Sequence, residues 1–162
     1  MKRLVWMFVV CSILEVGALA SPPKTVVSDL AGASLGRRIT SVQELPSQLK
    51  FALAGAFTQK TLDLGNPNQP IGAEIVTAGT PHYPDRRLIF AFETPKYYVV
   101  YVEYGPPAVH ASALVFDKTK SESLRFVWGG VDLRMPPFAT SPGELAKRIL
   151  AGKLRDDRGF IW

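Results

Sequence analysis

Cysteine is nearly absent from this chain of 162 residues: its one thiol is Cys11. That excludes a disulfide framework and a multi-cysteine zinc site. There is no Asn-x-Ser/Thr sequon, because Asn66 precedes Pro67 and Asn68 precedes Gln69. This favours a bacterial envelope protein over a glycosylated eukaryotic one. Ser112, on the same strand as His110, is not set in a G-x-S-x-G nucleophile elbow, and no G-x-x-x-x-G-K-[ST] phosphate loop occurs. Concentrated charge is missing too. Lys and Arg total 19 against 14 Asp and Glu, a net +5, and the basic residues cluster only in pairs such as Arg37-Arg38 and Arg86-Arg87. Nucleic-acid binders gather such residues on one face among stacking aromatics, so no nucleic-acid partner is expected. A mildly basic surface is compatible with ordinary solubility or with an acidic partner. The hydrophobic fraction of 47% excludes a disordered chain, and the length allows one domain with a core of its own.

The first twenty residues, MKRLVWMFVVCSILEVGALA, have the layout of a secretory signal peptide. Lys2 and Arg3 form a basic start, Leu4 to Leu14 is apolar except for Ser12, and Ala18-Leu19-Ala20 is a small-x-small cleavage site. The apolar run is too short to cross ~30 Å of hydrocarbon, and Glu15 interrupts it. Cleavage after Ala20 removes Cys11, lowers the net charge by one and leaves no expected transmembrane segment. The expected location is periplasmic or secreted.

Residues 21–40, rich in Ser, Pro, Gly and Ala, read as a flexible leader with one short strand at Lys24 to Leu30. Residues 41–162 read as a single α+β domain. Leu45, Leu49, Ala52, Leu53, Ala56 and Phe57 fall on one stripe of a helix over 41–57. Ser141, Pro142 and Glu144 announce a capped second helix over 141–152, with Leu145, Ile149 and Leu150 as its apolar stripe. Between them stand five strand candidates: Ile71–Ala78, Arg87–Glu93, Tyr97–Tyr104, Val109–Asp117 and Glu122–Gly129. The last four are joined by links short enough to demand antiparallel hairpins. The predicted fold is an antiparallel β-meander of four to five strands with two helices packed on one face. The tail residues Phe160, Ile161 and Trp162 are expected to dock.

Simple closure across each hairpin sets Glu93 opposite Tyr97, Tyr104 opposite Val109 and Asp117 opposite Glu122. Alternation then sorts the side chains onto two faces. One is wholly apolar or aromatic and carries Leu88, Phe90, Phe92, Tyr98, Val100, Val102, Ala111, Ala113, Val115, Leu124, Phe126 and Trp128. The other is mixed, with Tyr97, Tyr101, Phe116, Val99, Leu114 and Ile89 among charged residues. Either this second face is an open binding patch or the first strand, the leader or the tail covers it.

On the mixed face the row Arg87-Glu103-His110 sets a carboxylate between a guanidinium and an imidazole. Such a trio suits a general acid/base or a pH-sensitive contact, and equally a charge ladder on a wet sheet. His82 and Asp85, in a proline-flanked loop, belong to the same end of the sheet. The candidates for acid–base work are therefore His110, Glu103, His82 and Asp85. Those for binding are Arg87, Tyr97, Tyr101, Glu103, His110 and Phe116. The two histidines and two carboxylates lack any recognised ligand spacing, so neither a metal nor a cofactor is expected.

A helix followed by an antiparallel meander resembles the cystatin-like inhibitor folds in architecture alone, since their Q-x-V-x-G hairpin is lacking here. The stretch YYVVYVEYGPPAVHASALVFD, followed by FVWGG, resembles small exported proteins of Gram-negative bacteria without an assigned activity. That resemblance covers residues 86 to 130 and implies export but no catalytic residues. The expected function is an exported, non-enzymatic binding module with a protein partner in the envelope or outside the cell, as inhibitor or accessory factor. The alternative is a small hydrolase or small-ligand binder at the His82/His110/Glu103 end.

Overall fold

The computed structural model describes residues 21–32, 35–72, 82–106, 109–119, 123–132 and 136–156. The expected signal peptide, nearly all of the strand Ile71–Ala78 and the tail Phe160–Trp162 lie outside them. The elements run α1 (Lys24–Gly32), β1 (Arg38–Ile39), α2 (Ser47–Ala56), β2 (Arg86–Glu93), β3 (Tyr97–Tyr104), β4 (His110–Asp117), β5 (Arg125–Asp132), α3 (Pro142–Leu150) and β6 (Arg155–Asp156). The strands form one antiparallel sheet in the order of the sequence, β1 to β6. This is the α+β meander expected. Among the described residues no helix is long and apolar enough to cross a membrane.

The helices do not share a face. Val26 and Leu30 of α1 and Leu145 and Ile149 of α3 pack with Phe90, Phe92, Tyr97, Val99, Tyr101, Val115 and Trp128. Leu49 and Leu53 of α2 pack with Leu88, Ala91, Val100, Val102, Leu114 and Phe116 on the opposite side. The sheet is the middle of three layers. Segment 24–32 corrects the expectation of a leader with a strand: it is helix α1, and its apolar residues close the face that carries Tyr97 and Tyr101. Each large side chain taken fully out of water on either side contributes about 1.5–3 kcal/mol. Tyr101, Phe90, Phe92 and Phe116 head that group.

Register departs from simple closure. Glu93 pairs with Tyr98, Tyr104 with His110 and Asp117 with Arg125. Two irregularities adjust the count, between Leu88 and Phe90 in β2 and between Val115 and Phe116 against β5. At the first, Ile89 and Phe90 both turn toward the α1/α3 layer, while Leu88 faces α2. The twelve residues expected on one apolar face are accordingly divided between the two layers. Phe126, expected in the core, is 37% exposed.

Helix α3 begins as its capping residues require. Ser141 Oγ accepts from Glu144 N at 3.2 Å, and Pro142 occupies the first position. Glu144 reaches one residue further back than a simple capping box, to Thr140 N at 2.9 Å.

Candidate functional site

The predicted trio is divided by the sheet. Arg87 and Glu103 are register partners, and Arg87 Nε donates to Glu103 Oε2 at 2.8 Å. His110 pairs with Tyr104, so its side chain is on the α2 side, opposite Glu103. There its ring stacks on Tyr104, centroids 4.4 Å apart and planes 12° from parallel. The Arg86 guanidinium stands over both Tyr104 (5.0 Å) and Phe57 at the end of α2 (4.6 Å). This pile of Phe57, Arg86, Tyr104 and His110 fastens α2 to the end of the sheet, each cation–π contact contributing about 0.5–2 kcal/mol. His82 is exposed, with Nε2 2.9 Å from Asp63 Oδ2, and Asp85 is exposed in its loop. His110 and Glu103 therefore share no proton-transfer site. Among the described residues no three His, Cys, Asp or Glu side chains come together in a way that would hold a metal.

The proposed binding patch is corrected as well. Tyr97, Tyr101 and Phe116 are buried, the tyrosines under α1 and α3 and Phe116 beneath the α2 layer. Burial pushes the Tyr101 phenol well above its usual range, and the neighbouring Asp132 charge adds to it. Tyr97 is raised first by burial and then by its hydrogen bond to Asp29, whose Oδ2 accepts from the phenol at 3.1 Å.

Two open features replace that patch. On the α1/α3 side, Arg87 and Glu103 line a cleft of about 380 Å³ with Arg38 of β1, Asn68, Ile89 and the segment Pro137–Thr140. Arg87 Nη1 also donates to the Gln69 carbonyl at 3.1 Å, which locks its fork in place. On the outer side of α2, Phe51 is 84% exposed. It borders a shallow depression of about 430 Å³ with Lys50, Lys60, Val42, Ala54 and Leu62.

Sequence reasoning reached Arg87 and Glu103 but missed Arg38, Asn68, Thr140 and Phe51. For Phe51 a signal existed: it is a large apolar residue lying off the stripe of its own helix. Also missed was a buried cluster beside the cleft. Asp132, wholly buried at the end of β5, accepts from Arg148 Nη1 at 2.7 Å and from the Tyr101 phenol at 3.4 Å. Arg148 also pairs with Glu144, one turn earlier on α3.

Set against protein-family models, curated proteins and solved structures, the chain matches none.

Proposed function

We propose that this chain is an exported, non-enzymatic binding module that works by protein–protein contact, in the periplasm or outside the cell, as an inhibitor or accessory factor. The observation that carries this reading is Phe51. Phe51 stands in the open beside the apolar side chains of Val42, Ala54 and Leu62, and an exposed apolar patch with a polar rim is the kind of surface a partner protein covers. Its own helix has enough apolar residues without it, since Leu49, Leu53 and Ala54 are buried.

The surroundings indicate the partner's chemistry. Lys50 and Lys60 border Phe51, and among the described residues no acidic one lines the depression. The surface suits an acidic segment that presents a large apolar side chain between carboxylates. Aromatic anchors framed by charge dominate many interfaces, with the charges serving to steer and orient. The export half of the reading rests on the layout of residues 1–20.

The test is capture from an envelope extract by the full chain, with Phe51→Glu and Lys60→Glu alongside. A partner retained by the wild type is expected to be lost by both variants and to protect residues 50–54 and 60–62 from hydrogen exchange. Retention unaffected by Phe51→Glu, or no retained partner at all, overturns the proposal.

A further inference from the structure

We propose that the cleft between Arg38, Asn68, Glu103 and Thr140, on the other side of the sheet from Phe51, is a binding site for a small organic carboxylate with an apolar ring and a hydroxyl group. This is independent of the protein-contact reading. The argument begins with charge. Arg87 and Glu103 neutralise each other through the 2.8 Å bond. Arg38, exposed on the cleft wall, has no carboxylate partner among the described residues, and its guanidinium lies over the Phe90 ring at 5.0 Å. The cleft therefore retains one positive charge, on a planar fork whose edge matches a carboxylate. Stacking on Phe90 holds that fork in orientation, which lowers the cost of ordering it around a ligand.

Shape and the remaining groups narrow the class. About 380 Å³ lies at the small end of ligand pockets. Ile89, Pro137 and Phe138 give it apolar walls, and Phe138 is itself propped edge-on against Tyr101, centroids 6.5 Å apart. An apolar ring fits between such walls better than a phosphate or a sugar. Glu103, its side chain only 13% exposed, uses Oε2 for Arg87. A carboxylate has acceptor capacity beyond one bond, and a ligand hydroxyl supplies the donor it can take. The β2 irregularity at Ile89 turns that side chain into the cleft wall, and such bulges commonly re-aim side chains beside binding sites.

The experiment is amide-resolved NMR on the full chain, titrated to millimolar concentration with 4-hydroxybenzoate. Its neutral counterpart, 4-hydroxybenzyl alcohol, is titrated in parallel. The expected result is shifts confined to residues around 38, 68, 89, 103 and 138–140. The alcohol should bind at least about tenfold more weakly, the worth of one charge-assisted contact. Arg38→Gln, at an exposed position, should weaken the carboxylate to the level of the alcohol while leaving the rest of the spectrum unchanged. Glu103→Gln should retain the acid, because Arg87 is then released to assist it. No shifts at these residues, equal binding of acid and alcohol, or an unaltered titration for Arg38→Gln each overturns the proposal. Because Phe51 lies on the opposite layer, Phe51→Glu should bind the acid normally, which separates this site from the protein-contact surface.

Discussion

Arg148 of α3 reaches down to Asp132 at the end of β5, and the two meet at 2.7 Å where the carboxylate is wholly out of water. A buried ion pair balances a large desolvation cost against an equally large attraction, so its presence says little about net stability. Its breakage says a great deal. Arg148→Met, which removes the guanidinium from the buried Asp132 carboxylate, is expected to cost about 3–5 kcal/mol. The double variant Asp132→Leu/Arg148→Met should recover most of that loss. Urea unfolding midpoints of the two variants and the wild type decide the matter.

The two sides of α2 should respond very unequally to truncation. Phe51→Ser removes a side chain that touches mainly water, and its effect on stability should be within about 0.5 kcal/mol. Leu53→Ala, two residues on and fully buried, should cost about 2–5 kcal/mol. Thermal melts of both variants test the helix orientation on which the contact surface depends.

Gly130 admits the Trp128 indole. A Cβ at that position would stand 2.3 Å from the ring's Cη2 and 3.0 Å from Leu154 Cβ. The indole lies along its own strand over the glycine, an approach only a residue without a side chain permits. Gly130→Ala should cost about 1–3 kcal/mol, the usual result of forcing atoms into a packed core. Trp128 fluorescence should shift with it, because the ring must move toward solvent.

Stability should fall at both ends of the pH scale. The carboxyls of Asp29, Asp117 and Glu144 are held below the usual range. Asp29 is lowered chiefly by its bond from Lys96, Asp117 by Thr119 and Glu144 by the Thr140 amide. The native protein binds these protons less tightly than the unfolded chain does. Their contribution is thus full above about pH 4 and is lost as pH drops through the lower native values. Asp117→Asn should be less stable than the wild type at pH 6, with the two midpoints converging toward pH 3. At the alkaline end Tyr97 and Tyr101 are raised, so the unfolded chain releases these protons first and stability declines once pH passes about 10. Ionisation of these two phenols should then accompany loss of native structure rather than precede it.

Much of the fold was legible in the sequence. Tyr97–Tyr104 has the predicted limits, β2 and β4 each differ by one residue at one end, and Ser141 caps α3 as its motif required. Face assignment failed for a physical reason. With layers on both sides, β3 and β4 are buried almost throughout, and alternation then distinguishes nothing. The pairing of Arg87 with Glu103 was still correct, because the turn closes one residue away from simple closure and the irregularity at Ile89 restores the count. No compensation occurs between β3 and β4, so His110 lies across from Tyr104. Arg38 was hidden by its setting in a stretch whose composition suggested no structure. Its position is set by pairing with Phe92, a contact distant in sequence.

The outer margin of β2 is darned rather than hemmed. Gly36 N bonds to the Glu93 carbonyl, Arg38 and Ile39 pair with Phe92 and Ala91, and Gly65 exchanges bonds with Arg86 and Leu88. These scraps of chain occupy the main-chain groups that a foreign strand would need in order to graft itself alongside. On that flank Arg38 stands exposed on the wall of the cleft, a side chain offered where the main chain of β2 is already taken.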